Sequence, residues 1–190
     1  MYNAIDHLDK LYDLMKKVET KSSQSYLEYD MGIERAIELF TMQTKLGRKI
    51  IFIGNGGSAA IAEHSAIDYW KNGGIRAISF NDGPLLTCIG NDYGYEMVFE
   101  KPLRMFADAD DVLVAISSSG KSPNILNAAK AAIEMGCNVI TLSGFSSDNP
   151  LRELGDMNFY LPSDHYGLVE LGHQIILHTI LDLILVRSNG

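Results

Sequence analysis

At 190 residues with a hydrophobic fraction of 46%, the chain has the size and composition of one globular domain with a full core. A formal net charge of −8 argues against nucleic acid as the main partner, because phosphate-backbone binding needs concentrated Lys and Arg; a small phosphorylated ligand needs only a local nest of donors. The only cysteines, Cys88 and Cys137, lack CxxC spacing, so neither a disulfide framework nor a cysteine zinc site follows and reduced, cytoplasmic thiols are expected. The opening MYNAIDHLDKLYDL has no continuous apolar region, and no apolar run has the length of a membrane span; neither a signal peptide nor membrane association is expected.

Residues 3–20 place Ile5, Leu8, Leu11, Tyr12, Met15 and Val18 at helical spacing, and 26–46 repeat the pattern with Met31, Ile33, Ile37, Phe40 and Met42 before Gly47. Two long helices exceed what one sheet needs for cover; they either pack on another subunit or cap the sheet edge. Next comes KIIFIGNGGSAAIAEH. Ile50–Ile53 reads as a buried strand, Gly54, Asn55, Gly56 and Gly57 break it, and Ser58 opens a helix. This order makes an anion site, since the first N–H groups of a helix lack partners and its dipole favours negative charge. An ordinary strand-to-helix turn is the alternative.

Residues 75–80 read as a second strand, 85–89 as a short helix, GNDYGYE (90–96) as a loop and 97–106 as helix. DVLVAI (111–116) is a third strand, followed by SSSGKS (117–122), a second glycine- and hydroxyl-rich loop, with Pro123 at a helix start. Ser117, Ser118, Ser119 and Ser122 supply neutral donors; Lys121 supplies charge or is a solvated surface lysine. Strands at 139–142 and 158–161 and a helix at 166–186 complete a doubly wound, five-stranded parallel α/β sheet with helices on both faces. Ligands of such sheets sit at the carboxyl ends of the strands, where both loops fall.

Two helices carry chemistry. His64 and Asp68 lie at i, i+4; Glu170, Gln174 and His178 form a polar stripe on an otherwise apolar helix. Two His and two carboxylates either close a zinc site or make a hydrogen-bonded patch between helices. A phosphate anchor beside such a cluster has the parts for an aldose–ketose isomerisation: an anchor, an acid/base and an electrophile.

GNGGSAA (54–60), GNDYG (90–94), ISSSGKSPN (116–124) and GHQIILHTI (172–180) together resemble the SIS (sugar isomerase) domain family, more narrowly its phosphoheptose isomerases, from about Leu46 to the end. The resemblance implies a flavodoxin-like SIS domain over 1–190, with an oligomerising helical extension at 1–46 and a sugar-phosphate-binding core at 47–190. It implies conversion of sedoheptulose 7-phosphate to D-glycero-D-manno-heptose 7-phosphate through an enediol(ate), for activated heptose of lipopolysaccharide or capsule. It implies a homotetramer with sites at subunit interfaces. Substrate contacts fall on Asn55, Gly56, Gly57, Ser58, Asn91, Asp92, Ser117, Ser118, Ser119, Ser122 and Glu170. One Zn2+ per subunit falls on His64, Asp68, Glu170 and His178, with Asp68 and His178 catalytic. Asp68 stands where the family has Glu, Glu170 where it has Gln, and Leu168 where an Arg is common. SIS domains also serve as non-catalytic sugar-phosphate-binding or replication-initiator-associating proteins, and as isomerases of other sugar phosphates.

Overall fold

The computed structural model describes residues 3–23 and 25–188. In chain order the elements are α1 (Ala4–Met15), β1 (Glu19–Ser22), β2 (Tyr26–Leu27), α2 (Tyr29–Lys45), β3 (Ile50–Gly54), α3 (Gly57–Lys71), β4 (Ala77–Ser79), α4 (Gly83–Tyr93), α5 (Glu100–Phe106), β5 (Val112–Ser117), α6 (Pro123–Glu134), β6 (Asn138–Ser143), β7 (Met157–Tyr160) and α7 (Tyr166–Ser188). They build one seven-stranded sheet of order β2-β1-β7-β6-β5-β3-β4. The five expected strands, β3 to β7, are the parallel body. The other two form an antiparallel hairpin on the β7 edge, where Glu19 pairs Tyr160 and Ser22 pairs Met157. The sheet therefore has seven strands, and the two N-terminal helices are shorter than expected and separated by this hairpin.

Alternation along the strands sends side chains to two cores. Ile50 and Phe52 of β3, with Val112, Val114 and Ile116 of β5, face a cluster that also holds α1, α2, α3 and α7 residues. Ile51, Ile53, Leu113 and Ala115 face the other, built on α4, α5 and α6. Burial on both faces explains why these strands read as continuous apolar runs. In the first core Tyr69 packs edge-on against Phe40 and Phe52 and donates its hydroxyl to the Leu177 carbonyl at 2.9 Å, fixing α3 against α7.

Among the described residues α7 is long and apolar enough to cross a membrane, contrary to the expectation from the sequence. Its Leu168, Val169, Ile176, Leu177, Ile180 and Leu181 are buried against the sheet, so here the same stripe serves as a core helix. The GNDYG stretch departs as well. It is the end of α4, whose start is capped by Asp82 accepting from the Leu85 N–H, and the helix tolerates Gly90.

Candidate active site

The chain crosses from β4 on one side of β3 to β5 on the other, so strand order reverses between β3 and β5. Both glycine–serine loops leave the sheet at that reversal, where doubly wound sheets open a crevice. A cavity of about 240 Å³ lies there, walled by Asn55–Ser58, by Ser117, Ser118, Ser119 and Ser122, and by Tyr166 and Glu170. At Gly54 a Cβ would lie 2.4 Å from the Ser58 carbonyl oxygen, so only glycine lets α3 start so close to the strand. Neither N-cap residue, Gly56 of α3 or Ser122 of α6, gives a side-chain cap, while in the first turn of α6 Pro123 has no N–H and the Ile125 N–H donates to Asn124 Oδ1 at 3.0 Å. The positive end of the α3 dipole thus opens on the cavity, with the Glu170 carboxylate standing beside it at Gly57.

Hydroxyls complete the anion character. Ser117 Oγ and Ser122 Oγ are 3.3 Å apart, and the Gly120 N–H donates to Ser117 Oγ at 3.2 Å. Ser118 Oγ is buried with no hydrogen-bond partner among the described residues, which is costly unless a ligand completes it. Asn55 and the buried Asn124 exchange two side-chain hydrogen bonds of 2.9 Å, and Tyr95 donates its hydroxyl to Asn55 at 3.1 Å. Tyr95 lies in the GNDYGYE stretch and Asn124 closes ISSSGKSPN, yet neither stands out in the sequence as a site residue, because their pairing with Asn55 is made by the fold and not by spacing along the chain.

Two turns along the same helices, His64 Nε2 lies 3.2 Å from His178 Nε2 and 3.1 Å from Asp68 Oδ2, and Asp68 Oδ2 lies 3.8 Å from His178 Nδ1. One ligand atom of each residue fits within 4.8 Å of the others. Tetrahedral zinc with bonds of 2.0–2.1 Å sets its ligand atoms about 3.3 Å apart; His64 Nε2 has that spacing to Asp68 Oδ2 and to His178 Nε2, and the donor set of two imidazoles and a carboxylate suits the ion with one position open. Glu170 lies outside this cluster. Its carboxylate stands 2.4–2.6 Å from where a Cβ on Gly57 would be, in the cavity wall. Eight residues of helix separate it from His178, about 12 Å of rise. Asn91 and Asp92 are exposed at the end of α4, hydrogen-bonded to each other at 2.8 Å and outside the cavity lining.

Buried His173 is a different kind of histidine. It pairs with the Ser143 carbonyl through Nε2 at 3.2 Å, and burial pushes its pKa down from 6.5 to about 4. It is neutral at pH 7 and structural.

A profile of the SIS domain matches residues 9–144. The chain belongs to the SIS domain family. The match begins within α1, so this SIS chain carries the likeness into its N-terminal helices as well as the core. It is 37% identical over 158 residues to the phosphoheptose isomerase of Aliarcobacter butzleri, covering 80% of this chain and 83% of that one. It is 39% identical over 160 residues to that of Campylobacter jejuni, covering 80% and 84%. Among solved structures, phosphoheptose isomerase from Neisseria gonorrhoeae superposes with a TM-score of 0.83 at 31% identity, covering 95% of both chains.

Proposed function

We propose that this SIS protein is an aldose–ketose isomerase that converts sedoheptulose 7-phosphate to D-glycero-D-manno-heptose 7-phosphate. One observation carries the reading: an anion pocket and a His–Asp–His cluster lie on the same two helices, two turns apart. Seven residues of α3 separate Gly57 from His64, about 10 Å of rise. Eight bonds separate C1 of an open-chain heptose 7-phosphate from its phosphorus, also about 10 Å at the ~1.2 Å per bond of an extended chain. Relatives and a structural neighbour named phosphoheptose isomerase support the same substrate.

In this reading Ser117, Ser118, Ser119, Ser122 and the α3 N-terminus hold the phosphoryl group, and Asn55 and Glu170 contact the carbon chain. His64, Asp68 and His178 hold a divalent metal, zinc by donor type, one per subunit. When bound, that metal supplies Lewis acidity at the carbonyl oxygen. The Asp68 carboxylate, with His178 as its counterpart, withdraws a proton from C1, and the released electron pair forms the C1=C2 bond of the enediol(ate). Return of that proton to C2, with transfer of the C1 hydroxyl proton to the C2 oxygen, yields the aldose. C1 is oxidised and C2 reduced within one molecule, so no external redox partner is required.

The outer face of α3 and α7 beside the cluster exposes Ile67, Trp70, Leu171 and Ile175. Such surface, with large apolar side chains exposed on both helices that carry the cluster, is the kind that a partner subunit covers. It supports a homotetramer with the sites at subunit interfaces, the N-terminal helices of residues 1–46 adding to the assembly. A cytoplasmic location and a role in activated heptose for lipopolysaccharide or capsule accompany this reading.

The test is incubation of zinc-loaded protein with sedoheptulose 7-phosphate while aldoheptose phosphate is followed by chromatography. Turnover is expected, and loss of turnover in His178→Ala with the assembly intact. No turnover of any ketose phosphate by the wild type refutes the reading.

A further inference from the structure

Tyr166 and Glu170 lie four residues apart on the first turns of α7, share a face and both line the cavity. Tyr166 is 61% exposed, yet its ring is mounted rather than loose. Phe145 meets it edge-on, with ring centroids 4.7 Å apart and planes at 80°. Phe145 itself sits in the left-handed backbone region at φ 59°. For a bulky side chain that costs on the order of 1–3 kcal/mol and persists only where the surroundings over-determine it. They do so here. The Phe145 N–H donates to the Ser163 carbonyl at 2.9 Å, and its own carbonyl accepts the Tyr160 hydroxyl at 2.8 Å. The start of α7 is fixed in turn by the Leu168 N–H donating to His165 Nδ1 at 3.4 Å. The serine loop needs none of this to hold a phosphate. What the arrangement adds is an aromatic face and a carboxylate side by side, the pair that suits a polyol: C–H groups against the ring, hydroxyls donating to the carboxylate.

We propose that Tyr166, steadied by Phe145, is a specificity-determining residue that with Glu170 forms the wall recognising the carbon chain of the sugar phosphate. The proposal rests on reading the cavity as a sugar-phosphate site and assigns its selectivity to this face of α7.

The experiment is calorimetric titration of the zinc-loaded protein with sedoheptulose 7-phosphate at isomerisation equilibrium and, separately, with inorganic phosphate. Y166A is expected to weaken sugar phosphate about tenfold, the factor of about 1.4 kcal/mol, while leaving inorganic phosphate unchanged. Y166F, which keeps the ring, restores the affinity. F145G relieves the backbone strain but gives up the packing of its half-buried ring, so its melting temperature is measured alongside, and in the folded protein it weakens sugar phosphate by removing the buttress. If Y166A binds both ligands as the wild type does, or loses both equally, the proposal is overturned; unchanged affinity in F145G overturns the part given to Phe145. Should the wild type turn over no ketose phosphate while Y166A still separates the two ligands, the isomerase reading fails and the recognition wall stands.

Discussion

Gly120 sits in the serine loop at φ 63°, and a Cβ there would lie 1.9 Å from Asn149 Oδ1. Asn149 cannot yield. It is fully buried, donates to the carbonyls of Gly144 and Ser146, and accepts the Arg152 N–H. Gly120→Ala is therefore expected to cost at least about 1–2 kcal/mol from the left-handed backbone alone, and more from the collision. Urea unfolding reads the loss, and phosphate affinity should fall with it because the loop carries Ser119 and Ser122. His173 gives a pH signature of its own. Its pKa is 6.5 unfolded and about 4 folded, so the unfolded chain binds the extra proton. Stability from this group is fully present above pH 6.5, is lost as pH falls toward about 4, and is constant below. The loss approaches about 3 kcal/mol at the conversion of 1.36 kcal/mol per pH unit. Urea midpoints across that window should slope less in His173→Gln than in the wild type.

At the scale of elements, β3 and β5 are tied at their amino ends. Lys49, one residue before β3, places its ammonium 2.6 Å from Asp111 Oδ2 and 2.8 Å from Asp108, and its own N–H donates to Asp111 Oδ1 at 2.9 Å. Asp111 has 1% of its side chain exposed. Lys49→Met leaves that buried carboxylate without its counter-ion, held only by the backbone N–H groups of residues 49 and 108, which is expected to cost about 3–5 kcal/mol in urea unfolding. Because the tie is at the far edge of the sheet from the cavity, turnover per folded molecule should be unchanged. The same elements show what the sequence makes legible. Strands buried on both faces, such as Ile50–Gly54 and Val112–Ser117, stand out as unbroken apolar runs bounded by glycine and serine. The hairpin Glu19–Ser22 and Tyr26–Leu27 does not, because a short polar edge strand has one face and a few residues with which to signal. The anion loops were readable from local chemistry and His64, Asp68 and His178 from helical spacing. Glu170 was grouped with them by its shared stripe, but rise along a helix separates what angular phase unites. Tyr166 left no pattern, since its role depends on Phe145, a residue 21 positions away brought beside it by the fold.

For the whole molecule, the metal and the assembly are the levers. Chelation followed by dialysis should abolish isomerisation, and added zinc should restore it, with metal content per chain rising from none to about one. Trp70 is the single tryptophan and is 54% exposed in the isolated chain. In the tetramer proposed here it is covered, so its emission should be blue-shifted at working concentration. Ile67→Asp, on the same face, should shift that emission to the red and lower the mass seen by sedimentation.

Helix α7 carries Tyr166, Glu170 and His178 on one continuous rod. Their common aim toward α3 depends on the number of residues between them as much as on their identity. Deleting one residue between Glu170 and His178 would swing the imidazole about 100° around the axis and draw it back about 1.5 Å. The recognition wall would survive and the cation cradle would come apart. The spacing in this helix acts as a ruler, so sequence drift in this stretch is confined to replacement and closed to insertion or loss.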